Sequence, residues 1–205
     1  MKIAIEGMDG VGKSTIAKMV ADKYKFNYME KPLAELFGTE RVDGLTNLME
    51  FVPNIYNLDN EILRAWFIGL GNLHSFLSHE DEDIVLDRHF ASNYFWNGSE
   101  KSKPVFKLMK DLISVPDVTI VLYASPETRM KRIYARDSKD YDLSDPEKKV
   151  DGYDKMIDFL DEMNIPYVMV DTEDKSIEEV FEEVDKIVNK KVKEVKGAAR
   201  VKKRA

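Results

Sequence analysis

Residues 7–15 read GMDGVGKST, which places Gly7, Gly12, Lys13 and Ser14 in the spacing GxxxxGK[ST], directly behind the apolar run Ile3-Ala4-Ile5. The chemistry open to this spacing is phosphate binding. Glycines let the chain curl so that several N–H groups of Gly7, Met8, Asp9, Gly10, Val11, Gly12, Lys13, Ser14 and Thr15 face inward onto phosphate oxygens. Lys13 reaches the β- and γ-phosphates of a bound nucleotide, and the Ser14 hydroxyl holds Mg²⁺. The segment from Lys13 onward reads as a helix, whose positive N-terminal end also faces the phosphates. A Gly-rich surface turn has no need of the Lys-Ser-Thr run that follows.

Two further groups carry charge suited to the same chemistry. Asp87-Arg88-His89 closes an apolar run, where Asp87 can hold Mg²⁺ and Arg88 can clamp a phosphate with its planar fork of donors. Arg129, Arg132 and Arg136 recur in RMKRIYAR on one helix face. Arg132 and Arg136 are the candidates to deliver positive charge to a transferring phosphoryl group, and Arg129 is the weakest of the three. The polar stretch DSKDYDLSDPEKK that follows reads as a lid over about 137–149, keeping water out.

These groups need a frame. Apolar runs at 2–6, 26–30, 83–87, 118–123 and 167–171 are nearly continuous rather than alternating, as strands covered on both faces are. Helical stretches are read at 13–24, 59–78, 103–113, 126–136, 146–163 and 176–195, with mostly helical chain between the second and third strands. Strands alternating with helices give a three-layer α/β/α fold of the phosphate-loop NTPase type, with a five-stranded parallel sheet and a lid segment. In such sheets ligands sit at the carboxyl ends of the strands. Glu6, Glu30-Lys31, Asp87-Arg88-His89 and Ala124-Ser125 are therefore expected to meet at one site.

The chain has 205 residues, 43% hydrophobic and 34% charged, which suits one globular domain. We read one domain over 1–196 and a basic, disordered tail over 197–205. There is no cysteine, which excludes disulfides, thiolate catalysis and cysteine metal sites. A net charge of −7 disfavours nucleic-acid binding by the domain. The basic end from Lys190 has two readings, an arm that touches nucleic acid or an anionic surface and, preferred, a solvated helix end with a frayed tail. No run is long and apolar enough to cross a membrane, and no signal peptide precedes the first strand, so a cytoplasmic location is expected. The guanine-reading NKxD of GTPases is missing, as is DxxG after the third strand, and the chain reads as a kinase for a small acceptor.

From 2 to about 188 the chain resembles thymidylate kinase and the wider group of nucleoside and nucleoside-monophosphate kinases. IEGMDGVGKST is similar to EGxDGxGKST, DRHFASNYFWNG to DRYxxSxxxYQG, and PDVTIVLYASPETRMKRIYAR to PDLTIxLDxxPExxxxRixxR. The resemblance implies an ATP- and Mg²⁺-dependent transfer to a deoxynucleoside monophosphate. Asp9 would then contact the acceptor sugar, Arg88 the acceptor phosphate, and Ser14 and Asp87 the metal. Ser92, Asn93 and Trp96 would line the acceptor, with Asn93 where some members read a pyrimidine edge. Gly10 stands where some members carry an arginine, and members lacking it supply one from the lid, pointing to Arg132 or Arg136. A homodimer through the long helices is also implied. Two departures stand out. FIGLGNLH keeps Phe67 and His74 of FAANRxxH but has Gly71 for the thymine-contacting Arg, opening space for a different group. MEKPLAEL matches neither REPGGT nor the Glu-Pro of deoxynucleoside kinases. Lys31 would bind an acceptor phosphate, whereas Glu30 would serve as base toward a nucleoside 5′-hydroxyl. A deoxynucleoside kinase and a non-catalytic ATP-binding module are thus the alternatives.

Overall fold

A computed structural model describes residues 1–38, 41–144 and 149–202. Five strands, β1 (Lys2–Gly7), β2 (Asn27–Glu30), β3 (Ile84–Asp87), β4 (Val118–Tyr123) and β5 (Tyr167–Asp171), form one parallel sheet in the order β2-β3-β1-β4-β5. Every residue of β1 and β3 is buried, as their unbroken apolar runs require. β5 differs from the expectation of two covered faces, because it is an edge strand and leaves Val168 and Met169 exposed.

The helices are α1 (Lys13–Tyr24), α2 (Arg41–Tyr56), α3 (Glu61–Leu77), α4 (Phe90–Asn97), α5 (Lys103–Ile113), α6 (Pro126–Arg136), α7 (Tyr153–Glu162) and α8 (Ile177–Lys202). The connection β1–α1–β2 runs toward one edge of the sheet, and the later ones run back toward the other. Right-handed crossovers then place α1 on one face and α3, α4, α5 and α7 on the opposite face. α8 returns to the α1 side, where Asp185 accepts from the Tyr24 hydroxyl at 2.9 Å and pairs with Lys23 at 2.8 Å. The core between the layers joins Ile3, Ile5, Val85, Phe106, Ile120 and Phe159. A second, smaller cluster of Leu33, Ala34 and Leu48 lies under the 3₁₀ turn Pro32–Leu36.

Three sequence expectations change. The helix expected over 146–163 begins at Tyr153, behind Gly152, and 145–148 of the lid reading fall outside the described residues. Short α4 was not expected as a separate helix. The tail expected to be disordered from 197 continues α8 as far as Lys202, where alanine and lysine favour helix. Residues 203–205 lie outside the described residues. Among the described residues no helix is long and apolar enough to cross a membrane.

Candidate active site

The sheet order reverses at β1, and the crevice at its carboxyl end receives the loop 7–15. Lys13, at the first position of α1, is buried, donates to the Met8 carbonyl at 2.7 Å and lies 3.5 Å from Asp9 Oδ1. Burial, then the nearby Arg88 charge, lower its pKa to about 8. Ser14 donates to Asp87 Oδ2, and Tyr28 donates to the same oxygen at 3.0 Å. Asp87 Oδ1 is buried with no hydrogen-bond partner among the described residues. Arg88 donates to Asp9 Oδ1 from a backbone held at φ 79°, a conformation that side chains with a Cβ rarely adopt. Lys13, Ser14, Asp87, Arg88 and Asp9 thus converge as the sequence expected.

The loop is propped from behind. Tyr153 on α7 donates to the Leu122 carbonyl at 3.0 Å and accepts from Met8 N at 3.4 Å. Arg129 is fully buried, donating to the Asp9 carbonyl at 3.4 Å and to the Val150 carbonyl at 2.6 Å. Gly10 has φ +88°, and a Cβ there would stand 2.7 Å from the Arg129 carbonyl oxygen. The arginine of other loops has no room at position 10, because the first turn of α6 packs against the loop backbone.

The three α6 arginines have different surroundings. Arg129, the weakest sequence candidate, touches the loop. Arg132 instead commits its guanidinium to Thr172, at 2.9 Å to the hydroxyl and 2.5 Å to the carbonyl. Arg136 pairs with Asp140, four residues on, and is largely exposed. Each turn of helix carries the side chain past a different strand end, which spacing on one face does not reveal.

Glu6 is buried at the end of β1. It accepts from His89 N at 3.0 Å, Ala91 N at 2.9 Å, Ser92 N at 3.1 Å and Ser92 Oγ at 2.5 Å. Burial raises its pKa and these four donors oppose the rise. Ser92, expected at the acceptor, thus spends its hydroxyl on Glu6. His89 is buried between Phe76 and Phe90, with no hydrogen-bond partner for either ring nitrogen among the described residues and its pKa lowered by burial to about 3.

The remaining acceptor candidates are spread over β2, the 3₁₀ turn, α3 and α4. Asn93 Nδ2 is buried without a hydrogen-bond partner among the described residues. Trp96 stands edge-on to Phe95, ring centroids 4.5 Å apart. Phe67 packs with Phe51 at 5.5 Å and Phe37 at 6.1 Å. Glu30 is register-paired with Asp87 and accepts from the Tyr28 hydroxyl at 3.4 Å. Lys31, at φ 51°, turns toward Met49 Sδ at 3.9 Å. The space expected at Gly71 is closed: a Cβ there would lie 3.2 Å from both Leu33 N and Leu33 Cβ, so the 3₁₀ turn occupies it. Tyr28, Tyr56 and Tyr153 were missed. Only Tyr28 had a sequence signal, since it lies two residues before Glu30 and so on the same strand face. Burial raises the pKa of Tyr56 on α2, and the nearby Asn97 amide and the Arg88 charge oppose the rise.

Comparison with known proteins supplies the rest. The family model described as thymidylate kinase matches residues 72–184. A probable thymidylate kinase of Archaeoglobus fulgidus is 30% identical, covering 92% of this chain and 94% of that protein. A probable thymidylate kinase of Methanocaldococcus jannaschii is 28% identical over 90% of this chain and 93% of that protein. Among solved structures, deoxyadenosine kinase from M. mycoides with bound dATP superposes with TM-score 0.60 at 18% identity, covering 92% of this chain and all (100%) of that one. Thymidylate kinase from Ehrlichia chaffeensis gives TM-score 0.59 at 17% identity, covering 92% and 98%. At these identities the two structures speak to the fold alone.

Proposed function

The chain belongs to the thymidylate kinase family, and from that premise we propose that it transfers the γ-phosphoryl group of ATP to the phosphate of a deoxynucleoside monophosphate, dTMP or a related one. It is a nucleotide kinase, a phosphotransferase. The observation that carries the reading is the Asp9–Arg88 pair beside Lys13: one phosphate-binding loop with a second cation held at its lip.

Lys13 and the loop amides hold the ATP phosphates. Arg88, aimed by Asp9, holds the acceptor phosphate so that its oxygen lies in line with the γ-phosphorus. Transfer is direct, with no covalent enzyme intermediate, and depends on positioning and on charge neutralisation. The family implies a divalent ion, Mg²⁺ in our reading. The residues fit one: Ser14 and Asp87 offer only oxygen ligands, and Asp87 Oδ1 is buried with no partner among the described residues. When bound, the ion neutralises charge on the phosphate oxygens. Arg132 and Arg136 act as clamps only by exchanging Thr172 and Asp140 for phosphate. Asn93, Trp96 and Phe67 form the wall for the acceptor base, and Lys31 is a second cation for its phosphate.

ADP release measured against each deoxynucleoside and its monophosphate tests this. Turnover with a monophosphate is expected, and Arg88→Ala should lower it at least about tenfold. Turnover with nucleosides alone would transfer the assignment to the second reading, a deoxynucleoside kinase with Glu30 as base. For that reading, the register of β2 sets Glu30 beside Asp87 at the carboxyl end of the sheet, where such a base would stand. ATP binding without release of ADP on any acceptor would remove catalysis altogether.

A further inference from the structure

Away from the phosphate loop, two of the three histidines converge on one carboxylate. His74 Nε2 lies 2.8 Å and His79 Nε2 3.0 Å from the same Glu35 Oε2. The three side chains come from different places: Glu35 from the 3₁₀ turn Pro32–Leu36, His74 from the last turn of α3, and His79 from the loop before β3. Their ligand atoms all lie within 4.8 Å of one another.

The outer nitrogens are also held. His74 Nδ1 meets Ser78 Oγ at 2.9 Å, and His79 Nδ1 meets Glu82 Oε1 at 3.1 Å. A carboxylate behind an imidazole is the partner that metal-bound histidines usually have, because it fixes the ring and its tautomer. The loop presenting His79 is itself wrapped on a buried cation: Lys2 Nζ donates to the carbonyls of His79, Glu80 (3.5 Å) and Glu82 (2.7 Å). Three carbonyls on one ammonium keep His79 and Glu82 in place before any ligand arrives.

His79 therefore has a carboxylate at each nitrogen. A carboxylate only accepts, so both nitrogens must carry protons or one must face a cation. A metal ion at Nε2 resolves this by replacing one proton and leaving Nδ1–H to Glu82. His74 needs no net change, since its proton moves to Nδ1 and faces the Ser78 oxygen. The C-terminal end of α3 adds negative potential at the same point.

We propose that Glu35, His74 and His79 form a binding site for a divalent transition-metal ion of the Zn²⁺ class, stapling the 3₁₀ turn to the end of α3. Two imidazoles and one carboxylate are a recognised ligand set for such ions, with bonds of about 2.0–2.2 Å. The nitrogen–oxygen separations need only widen by a few tenths of an ångström to admit it. The ion would hold the turn whose Leu33 closes the space at Gly71 and which follows Glu30 and Lys31.

The test is Co²⁺ titration of the metal-stripped full chain above the imidazole range, about pH 6.5, with Mg²⁺ in excess to fill any oxygen-only site. We expect one Co²⁺ per chain, bound with release of one proton and with the intense visible absorption of a four- or five-coordinate ion, and displaced by Zn²⁺. Zn²⁺ should raise the melting temperature. His79→Gln and Glu35→Gln should abolish the absorption, and Glu82→Gln should weaken binding about 10–100-fold. Glu35 is exposed, so its variant keeps the test open if His79→Gln does not fold. The absence of a visible band in the parent chain, or an undiminished band in Glu35→Gln, would overturn the proposal.

Discussion

Lys13 shows how the folded surroundings reset a single residue. Burial and the Arg88 charge lower its pKa to about 8, so the free enzyme loses this cation well below the usual lysine range. The neutral amine attracts phosphate less than the ammonium does. kcat/KM for ATP should thus be level below about pH 8 and fall above it, because that ratio reports groups of the free enzyme. A profile flat to about pH 10 would contradict the lowered pKa of Lys13. Gly10 is set by sterics rather than charge. Its φ is +88°, and a Cβ added there would stand 2.7 Å from the Arg129 carbonyl oxygen. Gly10→Ala should therefore cost about 1–3 kcal/mol in denaturant melts. A wild-type midpoint would mean that α6 and the loop are not in contact. The sequence reading of Gly10 as a missing charge captured its identity but not its cause.

At the scale of elements, the end of β1 and the start of α4 are tied through one carboxylate. Glu6 receives three backbone N–H groups and the Ser92 hydroxyl, and so caps the helix that follows Asp87 and Arg88. Its position therefore sets the geometry of the strand end that carries Asp87 and Arg88. Glu6→Gln turns an acceptor into an amide whose NH₂ faces donors. The variant should lose about 3 kcal/mol of stability, the scale of buried hydrogen bonds to a charged group. A loss below about 1 kcal/mol, measured by urea unfolding, would show that α4 does not depend on it. α6 gives the complementary lesson. Its period was legible, yet period alone could not distinguish the turn that meets the loop from the turn that meets Thr172.

Over the whole molecule, the outer helical layer carries an apolar face. Leu63, Leu70 and Leu77 repeat every seven residues along α3 and are 52%, 42% and 61% exposed. Leu108 and Leu112 are exposed on the neighbouring α5, where Gly69 and Met109 bring the two helices close. A stripe of this kind suits a self-complementary interface between two copies related by a two-fold axis. Sedimentation equilibrium should find a homodimer, and Leu70→Glu should shift it to monomer without loss of helical signal. A parent chain that is monomeric at the same concentration would refute this interface.

Local pattern was enough for the loop 7–15, the five strands and their parallel arrangement, and the meeting of Lys13, Ser14, Asp87 and Arg88 at one end of the sheet. Each of these rests on short-range spacing or on the rule that ligands gather at strand carboxyl ends. Side-chain direction across distant elements was not legible. Only the tertiary structure turned Arg132 to Thr172, filled the space at Gly71 with Leu33, placed Tyr153 behind the loop and brought Glu35 to two histidines. Those outcomes depend on which helix lies against which strand end. Packing decides that over separations of tens of residues, and no spacing within one segment encodes it.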